Sequence, residues 1–410
     1  MFSIAKQNCV GNFIRNFLKT KQKSFNSFKS FSIGCTMKNV NMDEHNVDLR
    51  KDLNIFRTFT AKLRPDLMEE SIKFNALFPD VKREIVTYIE RCTNKETAEY
   101  IDKCLQYNVP NGKQFRPMQI ILGYKDIADK DQQTPEKMRQ LYMICWALEI
   151  VNTIVVIHDD MIDGGLVRRN SRCWHTLDDV GMHAVSDYIL VLHSGYFLLK
   201  NHCKDLACYS RLFEYISEGV FFTHMGQTMN KFIRFDAMAD VDNSLKNMRQ
   251  VHLTKTGHFL FYTPMSMLMA LTGHNNREFI KHICAEMGYY HQCQNDVLDI
   301  FDISGVLQKT TNDIENGECS WLATTCMQRG NDEQKRIMIE NYGKKDPKCS
   351  ERVKQLFIDM SMLELYREFA YEKYDSIRAL IVAAECDEPV KNVLYNILDL
   401  LFHRSMVKSN

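Results

Sequence analysis

Apolar residues recur at intervals of three and four through most of the chain beyond residue 43, which is the periodicity of one buried helix face. This pattern predicts long helices at Glu84–Cys92, Glu136–Val156, Ser186–Lys200, Ser210–Phe232 and Leu245–Tyr262. Breakers lie between the apolar runs, among them Pro135, Gly181, Gly273 and Gly305. Since no series of alternating strands is present, we expect one all-α domain over residues 43–410, a helical bundle with its site between facing helices.

The first 42 residues differ from the rest in composition. Their charged side chains are all basic, namely Lys6, Arg15, Lys19, Lys21, Lys23, Lys29 and Lys38. An acid-free basic leader is typical of mitochondrial transit peptides, so residues 1–42 predict a mitochondrial protein. A start at Met37 would give a cytosolic form, and a disordered basic tail is the alternative.

Composition excludes several other classes of protein. The 52 basic and 52 acidic residues balance, so nothing indicates a nucleic-acid partner. The 14 cysteines form no CxxC pair, which favours free thiols in a reducing compartment. No apolar run is expected to reach the length of a membrane span. The nearest, Pro264–Leu271, is interpreted as a core helix.

Two acidic motifs carry the candidate chemistry. The sequence DDMID begins at Asp159, and NDVLD begins at Asn295, each after an apolar run. Residues four apart share a helix face, so Asp159 pairs with Asp163, and Asn295 with Asp299. Two such faces turned toward each other would hold hard divalent cations, which prefer oxygen ligands and share them with substrate phosphates. The sequence therefore predicts a site that binds a diphosphate through Mg²⁺.

Basic residues accompany both motifs. Mg²⁺ covers part of a diphosphate's charge, and Lys and Arg must cover the remainder. The candidates are Lys113, Arg116, Arg168, Arg169, Lys255 and Lys309. A single DDxxD motif is more often a solvated helix face, but two motifs, each behind an apolar run, favour a metal site.

Seven motifs in order resemble the trans-isoprenyl diphosphate synthase family, and within it the farnesyl diphosphate synthases. They are VPNGK from Val109, DDMID with Arg168-Arg169, Gly226-Gln227, Lys255-Thr256, QCQND from Gln292, Lys309, and CSW from Cys319. The resemblance runs from about Phe56 to the C terminus. It implies the large all-α fold of class I prenyl-diphosphate enzymes, and a homodimer.

The resemblance also implies roles for these residues. Three Mg²⁺ ions would be held around a prenyl diphosphate by Asp159, Asp163, Asn295 and Asp299. The catalytic cations that hold this diphosphate would be Arg168, Lys255 and Lys309. Isopentenyl diphosphate, the second substrate, would be held by Lys113, Arg116 and Arg169. The remaining predicted substrate-binding residues are Asn152, Gln227, Thr256 and Gln292.

Several positions depart from the family pattern. Asn295 and Asn230 stand where the family has Asp, and each change removes a negative charge from the metal region. Three positions near the expected isopentenyl diphosphate site also differ: Asn152, His291 and Phe259 stand where the family has Gln, Phe and Tyr, respectively.

Two further departures concern the tail and the cavity. The family's basic C-terminal tail is thinned to Arg404 and Lys408. Ile154 and Val155 stand where farnesyl synthases often have aromatic residues that limit product length. Smaller side chains there leave more volume in the floor of the site.

These departures favour the hypothesis of a terpene synthase like the insect enzymes that resemble this chain. Such an enzyme ionises geranyl or farnesyl diphosphate and releases a terpene hydrocarbon or alcohol. Asn295 fits this hypothesis, because many class I terpene synthases use Asn as a metal ligand, although Ile303 stands where a third ligand would follow. The alternative is a prenyltransferase, since Lys113, Arg116 and Arg169 are retained. A non-catalytic partner subunit is a third hypothesis, which the complete DDMID motif disfavours.

Overall fold

Helices account for almost all of the described chain, as the apolar periodicity predicts. The computed structural model describes Arg64 and residues 66–110, 112–169, 171–235, 241–274, 278–301 and 312–404. All of them fall within a single compact unit. The predicted leader, together with Lys309, Ile303 and Lys408, lies outside the described residues.

The helices are numbered in chain order. Those of the first half are α1 (Asp66–Ala76), α2 (Phe78–Cys92), α3 (Lys95–Asn108), α4 (Phe115–Ile127), α5 (Pro135–Asp163), α6 (Ala184–Cys203) and α7 (Tyr209–Phe232). Those of the second half are α8 (Val241–His252), α9 (Thr263–Leu271), α10 (Glu278–Phe301), α11 (Asp313–Asn316), α12 (Trp321–Arg329), α13 (Asp332–Asn341), α14 (Pro347–Asp359), α15 (Met362–Ala383) and α16 (Glu388–Arg404).

Two short features interrupt the helical pattern. A two-stranded antiparallel hairpin, β1 (Val167–Arg168) and β2 (Ser171–Arg172), follows α5. A π-helical segment, Leu253–Tyr262, lies between α8 and α9. The single helix predicted over Leu245–Tyr262 is therefore α-helical only as far as His252, and α9 has the buried Met-rich core expected of it.

Helix α5 forms the centre of the bundle. Thr134 caps its start, and the helix ends at Asp163, seven residues beyond the predicted boundary at Val156. Gly164 follows in the left-handed conformation (φ 65°). Trp146 is fully buried on this helix and stacks on Phe74 with ring centroids 4.2 Å apart. The buried length of α5 fixes the position of the DDMID motif at its C-terminal end.

Helix α5 is also long and apolar enough to cross a membrane, so the expectation that no segment reaches that length is wrong. Of its most apolar window, however, 83% is buried inside the protein. Burial of this kind identifies the core helix of a bundle, which is hydrophobic on all sides because other helices surround it.

Candidate active site

The first acidic motif meets basic side chains from two other elements. Asp159 Oδ1 lies 3.1 Å from Lys255 Nζ, and Asp159 Oδ2 lies 3.3 Å from a terminal nitrogen of Arg168. Asp163 accepts a hydrogen bond of 3.4 Å from the Gln227 amide. The structure therefore brings Asp159, Asp163, Arg168, Lys255 and Gln227 together, and Gln227 contacts a predicted metal ligand.

Lys255 is placed by close backbone packing. It lies in the π-helical segment, a conformation that is rare and frequently found at functional sites. Gly226 of α7 packs directly on its backbone, since a Cβ at Gly226 would lie 2.4 Å from Lys255 N. Burial would lower the pKa of Lys255, but Asp159 and Asp163 outweigh that effect and raise it. The side chain is therefore a firmly charged ammonium among carboxylates.

We expect Gly226→Ala to lower the free energy of unfolding by about 1–3 kcal/mol, because backbone atoms cannot move aside as side chains do. Turnover should fall as well, because the strain displaces Lys255. Denaturant unfolding and steady-state rates measure the two effects. Gly257→Ala is the matched control in the π-helical segment, since its Cβ would make ordinary contacts of 3.7 Å. Equal stability of both variants would contradict the packing argument.

The second acidic motif lies at the end of α10 and is linked to the first by short contacts. The Asp313 backbone N–H donates to Asp299 Oδ2 at 3.4 Å. The neighbouring Asn312 amide donates to the Asp163 carbonyl at 3.1 Å. The beginning of α11 thus joins the two predicted metal-binding faces.

A second link runs through the π-helical segment. The Thr256 hydroxyl donates to Gln292 Oε1 at 2.8 Å, and the Asn295 amide donates to the same oxygen at 3.4 Å. Because Thr256 follows Lys255, this chain of contacts connects Asn295 with the cation that pairs with Asp159. Lys309 is the predicted diphosphate ligand that lies outside the described residues.

Asp296 anchors α10 from behind, a role that the motif alone did not indicate. Its carboxylate accepts hydrogen bonds from Trp321 N at 2.7 Å and from Gln292 at 3.2 Å. His252 Nε2 lies 3.4 Å from the same carboxylate. Burial raises the pKa of Asp296 to about 7. Asp296 therefore connects α10 with α12 and α8, while Asn295 and Asp299 belong to the site.

The two adjacent arginines of the hairpin have different hydrogen-bond partners. Arg168 Nε donates to Asp160 at 2.7 Å and its guanidinium also contacts Asp159, whereas Arg169 donates to the Asn108 carbonyl at 2.6 Å. Arg168 is the last residue of β1, whereas Arg169 lies in the hairpin turn with a positive φ of 54°. Neither arginine lies on a continuation of α5, because α5 ends at Asp163 and the hairpin follows it.

Arg169, Arg116 and Lys113 form a second cluster, called here the basic pocket. Arg116 Nε donates to the Phe259 carbonyl at 3.0 Å, and its guanidinium lies 4.8 Å from the centre of the Phe259 ring. Burial lowers the pKa of Arg116 to about 10, so it remains charged at neutral pH. Lys113 is exposed at the edge, directly after Gly112.

Glu149 lies beneath the basic pocket and was not among the predicted site residues. Its side chain is buried on α5, one turn before the buried Asn152. Burial raises the pKa of Glu149 to about 7, and Arg116 and Arg169 oppose that rise. A buried carboxyl group near two arginines is the signal that could have identified it, but the sequence does not show that the hairpin brings Arg169 there.

The departures from the family pattern leave these contacts in place. Phe259 holds Arg116 through its ring and backbone carbonyl, so the missing hydroxyl does not release the guanidinium. Asn230 donates to Glu318 at 2.8 Å. Ile154 is fully buried, whereas Val155 is only partly buried.

Two histidines near the site have structural partners. The Tyr188 hydroxyl lies 2.9 Å from His224 Nε2, and His224 Nδ1 lies 2.8 Å from the Val220 carbonyl. His158 packs against the His224 ring at 4.5 Å. These contacts give both histidines a structural role in packing.

The oxygen donors fit Mg²⁺ that is shared with a substrate. Asp159, Asp163, Asn295 and Asp299 offer carboxylate and amide oxygens, the ligand type that this ion prefers. Within the described ranges, no group of three or more His, Cys, Asp or Glu side chains is close enough to hold a metal unaided. Mg²⁺ commonly takes one or two carboxylates and completes its shell with water and phosphate oxygens. The donor set therefore fits ions that arrive with a diphosphate.

Comparison with known proteins identifies the family. The family model described as "Polyprenyl synthetase" matches residues 98–360. The chain is 32% identical to "Farnesyl pyrophosphate synthase" of Nezara viridula over 78% of this chain and 79% of the relative. It is 32% identical to the Murgantia histrionica protein of the same name over 77% and 78% of the two chains. It is 30% identical to "Farnesyl pyrophosphate synthase 2" of Arabidopsis thaliana over 75% and 91%. With its helical bundle and paired acidic motifs, the chain belongs to the polyprenyl synthetase family.

Proposed function

We propose that this protein is an Mg²⁺-dependent prenyltransferase that condenses isopentenyl diphosphate with an allylic diphosphate to form geranyl or farnesyl diphosphate. The relatives that are named farnesyl pyrophosphate synthases support this alternative over the terpene synthase that the sequence departures favoured. Membership of the family supports the coarser statement that it is a prenyl diphosphate synthase.

One observation carries the proposal, the basic pocket beside the acidic motifs. An enzyme that only ionises one diphosphate needs a single anion site, which the acidic motifs with Lys255 and Arg168 already provide. Arg116 and Arg169 lie partly buried near the buried carboxyl group of Glu149, and Asp160, the other carboxylate that acts on Arg169, is already hydrogen-bonded to Arg168. Buried cations are costly unless an anion compensates them. A second diphosphate is the anion that this arrangement fits.

The residues then divide into two functions. Bound Mg²⁺ would supply positive charge to the departing diphosphate. Arg168 and Lys255 add fixed charge at the same place, where negative charge develops. The basic pocket orients isopentenyl diphosphate so that its alkene lies within reach of the allylic cation. Apolar side chains such as Ile154 exclude water, which would otherwise quench that cation.

A terpene synthase is the second candidate, favoured by the amides at Asn295 and Asn230. Both residues would lower the negative charge near the metals relative to the family pattern. The Asn295 amide nitrogen contacts Gln292, so its side-chain oxygen is the atom suited to coordinate a cation. The first candidate is preferred because this second one gives no role to the basic pocket.

Incubation of purified protein with Mg²⁺ and each allylic diphosphate, with and without isopentenyl diphosphate, tests the proposal. We expect chain-elongated diphosphate only when isopentenyl diphosphate is present, detected by mass spectrometry after dephosphorylation. Terpene hydrocarbon or alcohol from the allylic diphosphate alone, with no elongation, would establish the second candidate. Absence of any product would favour the non-catalytic partner subunit. Homodimer formation and mitochondrial import stay predictions.

A further inference from the structure

Glu149 is the buried ionisable group for which the proposed mechanism gives no task. Its side chain is 1% exposed and lies on α5. Among the described residues, neither carboxylate oxygen has a conventional hydrogen-bond partner. Buried polar groups without partners are rare because desolvation is not compensated, so each one requires an explanation.

The surroundings of Glu149 place it against the wall of the basic pocket. Gly112 is the residue between them: a Cβ at this position would lie 2.6 Å from Glu149 Oε1 and 3.0 Å from a terminal nitrogen of Arg169. The Glu149 carboxylate and the Arg169 guanidinium therefore both lie close to the backbone of Gly112, which has no side chain to separate them. Lys113, the next residue, extends from this backbone at the edge of the pocket.

We propose that Glu149 takes up a proton when a diphosphate binds in the basic pocket, and releases it when the diphosphate leaves. The inference rests on the proposed function, which makes isopentenyl diphosphate the ligand of that pocket. The proton comes from solvent, resides on a carboxylate oxygen, and no other bond forms or breaks.

Electrostatics gives the direction of the proton transfer. In the protein without ligand, Arg116 of α4 and Arg169 of the hairpin favour the ionised carboxylate, and burial favours the neutral acid. A bound diphosphate neutralises these cations and adds negative charge of its own. Both changes disfavour a second anion nearby, so the carboxyl group takes up a proton.

The other groups around Glu149 leave this balance unchanged. Cys145, one turn earlier on α5, is a fully buried thiol whose pKa lies well above its usual value, so it stays neutral. Asn152, one turn later, carries no charge, and its side chain favours the ionised carboxylate from a position outside regular hydrogen-bond geometry. The two arginines are the charges that a ligand can compensate.

The sign of the pH dependence follows from the raised pKa of Glu149, which is about 7 in the protein without ligand. Above that pH the carboxylate must bind a proton for the ligand to bind well. Affinity for isopentenyl diphosphate should therefore weaken as pH rises above 7, by at most about tenfold per pH unit. In Glu149→Gln the amide cannot titrate, so this dependence should disappear.

Titration calorimetry of isopentenyl diphosphate into the full-length protein tests the proposal. EDTA is included so that Mg²⁺-dependent binding at the acidic motifs does not contribute. At pH 8 the diphosphate has lost its own protons, because phosphate groups titrate near pH 6. Repeating the titration in buffers of different ionisation enthalpy counts the protons. We expect uptake of about half a proton or more in the unmodified protein and about none in Glu149→Gln.

Glu70→Gln is the matched control, since Glu70 is equally buried but is held by Lys125 and Tyr142. Its proton uptake should equal that of the unmodified protein. Binding without proton uptake in the unmodified protein would overturn the inference and leave the proposed function intact. Uptake that persists in Glu149→Gln would assign the proton to another group and also overturn it. Failure of isopentenyl diphosphate to bind at all would instead remove the proposed function, and the inference with it. The number of protons taken up by the unmodified protein tests the inference without any variant, so misfolding of a variant does not prevent the test.

Discussion

Asp159→Asn should reduce kcat by about 10³-fold, which corresponds to about 4 kcal/mol of lost transition-state stabilisation. Asp159 contacts both Lys255 and Arg168, and its two oxygens are the predicted metal ligands nearest to these cations. The amide keeps the shape of the side chain but loses the charge that attracts Mg²⁺. Asp163→Asn should act in the same direction. Steady-state kinetics over a range of Mg²⁺ concentrations measures the effect, and EDTA should reproduce it in the unmodified protein.

Ile162→Ala provides the control for Asp159→Asn on the same helical turn. Its side chain is 55% exposed, so truncation should leave both turnover and thermal stability near their normal values. A normal rate for Asp159→Asn, or full activity in EDTA, would exclude metal-assisted ionisation at this motif. Circular dichroism would show whether a lost rate reflects chemistry or unfolding.

Arg116→Met should raise the KM for isopentenyl diphosphate about 10- to 100-fold, because hydrogen bonds to charged groups contribute about 1.5–3 kcal/mol. The thioether fills most of the space above the Phe259 ring without a charge. The KM for the allylic diphosphate should change little, since Lys255 and Arg168 are the cations proposed to bind that substrate. Initial rates with each substrate varied in turn separate the two effects.

Arg139→Met is the matched control for Arg116→Met. Arg139 is exposed and pairs with Asp80 at 3.2 Å on the surface, where such pairs contribute little. If Arg116→Met left elongation unchanged, the basic pocket could not be the second-substrate site. The unmodified protein could instead release terpene from the allylic diphosphate and show no elongation. If Arg116→Met left that terpene release unchanged, the second candidate function would gain support.

The sequence predicted the helical bundle and the two acidic faces because both depend on local spacing. Asp159 and Asp163 follow a buried helix, and four-residue spacing fixes their common face. The relation of the two motifs was harder to predict, since it depends on Asn312 and Asp313, which join chain segments distant in sequence. Pairwise contacts of this kind leave no periodic trace in the sequence.

The basic residues show more clearly which features of the site could not be predicted from the sequence. Arg168 and Arg169 were assigned to different diphosphates by resemblance, but their separation comes from a hairpin too short to produce a recognisable strand pattern. Glu149 was overlooked because it lies within the continuous apolar run of α5, and its burial places it near Arg116 only after folding. The π-helical segment was predicted as an ordinary helix, because apolar periodicity predicts a helix but not its hydrogen-bond pattern.

The close backbone packing around the π-helical segment constrains how this enzyme can change its product. Gly226 meets the Lys255 backbone. On the other side Gly288 meets Gly257, and a Cβ added at Gly288 would lie 2.1 Å from the Gly257 Cα. At both contacts a glycine packs on backbone atoms, which cannot move aside as side chains do. A change of product length is therefore expected through α5, where Ile154 and Val155 offer replaceable volume, while Gly226 and Gly288 stay fixed by backbone packing.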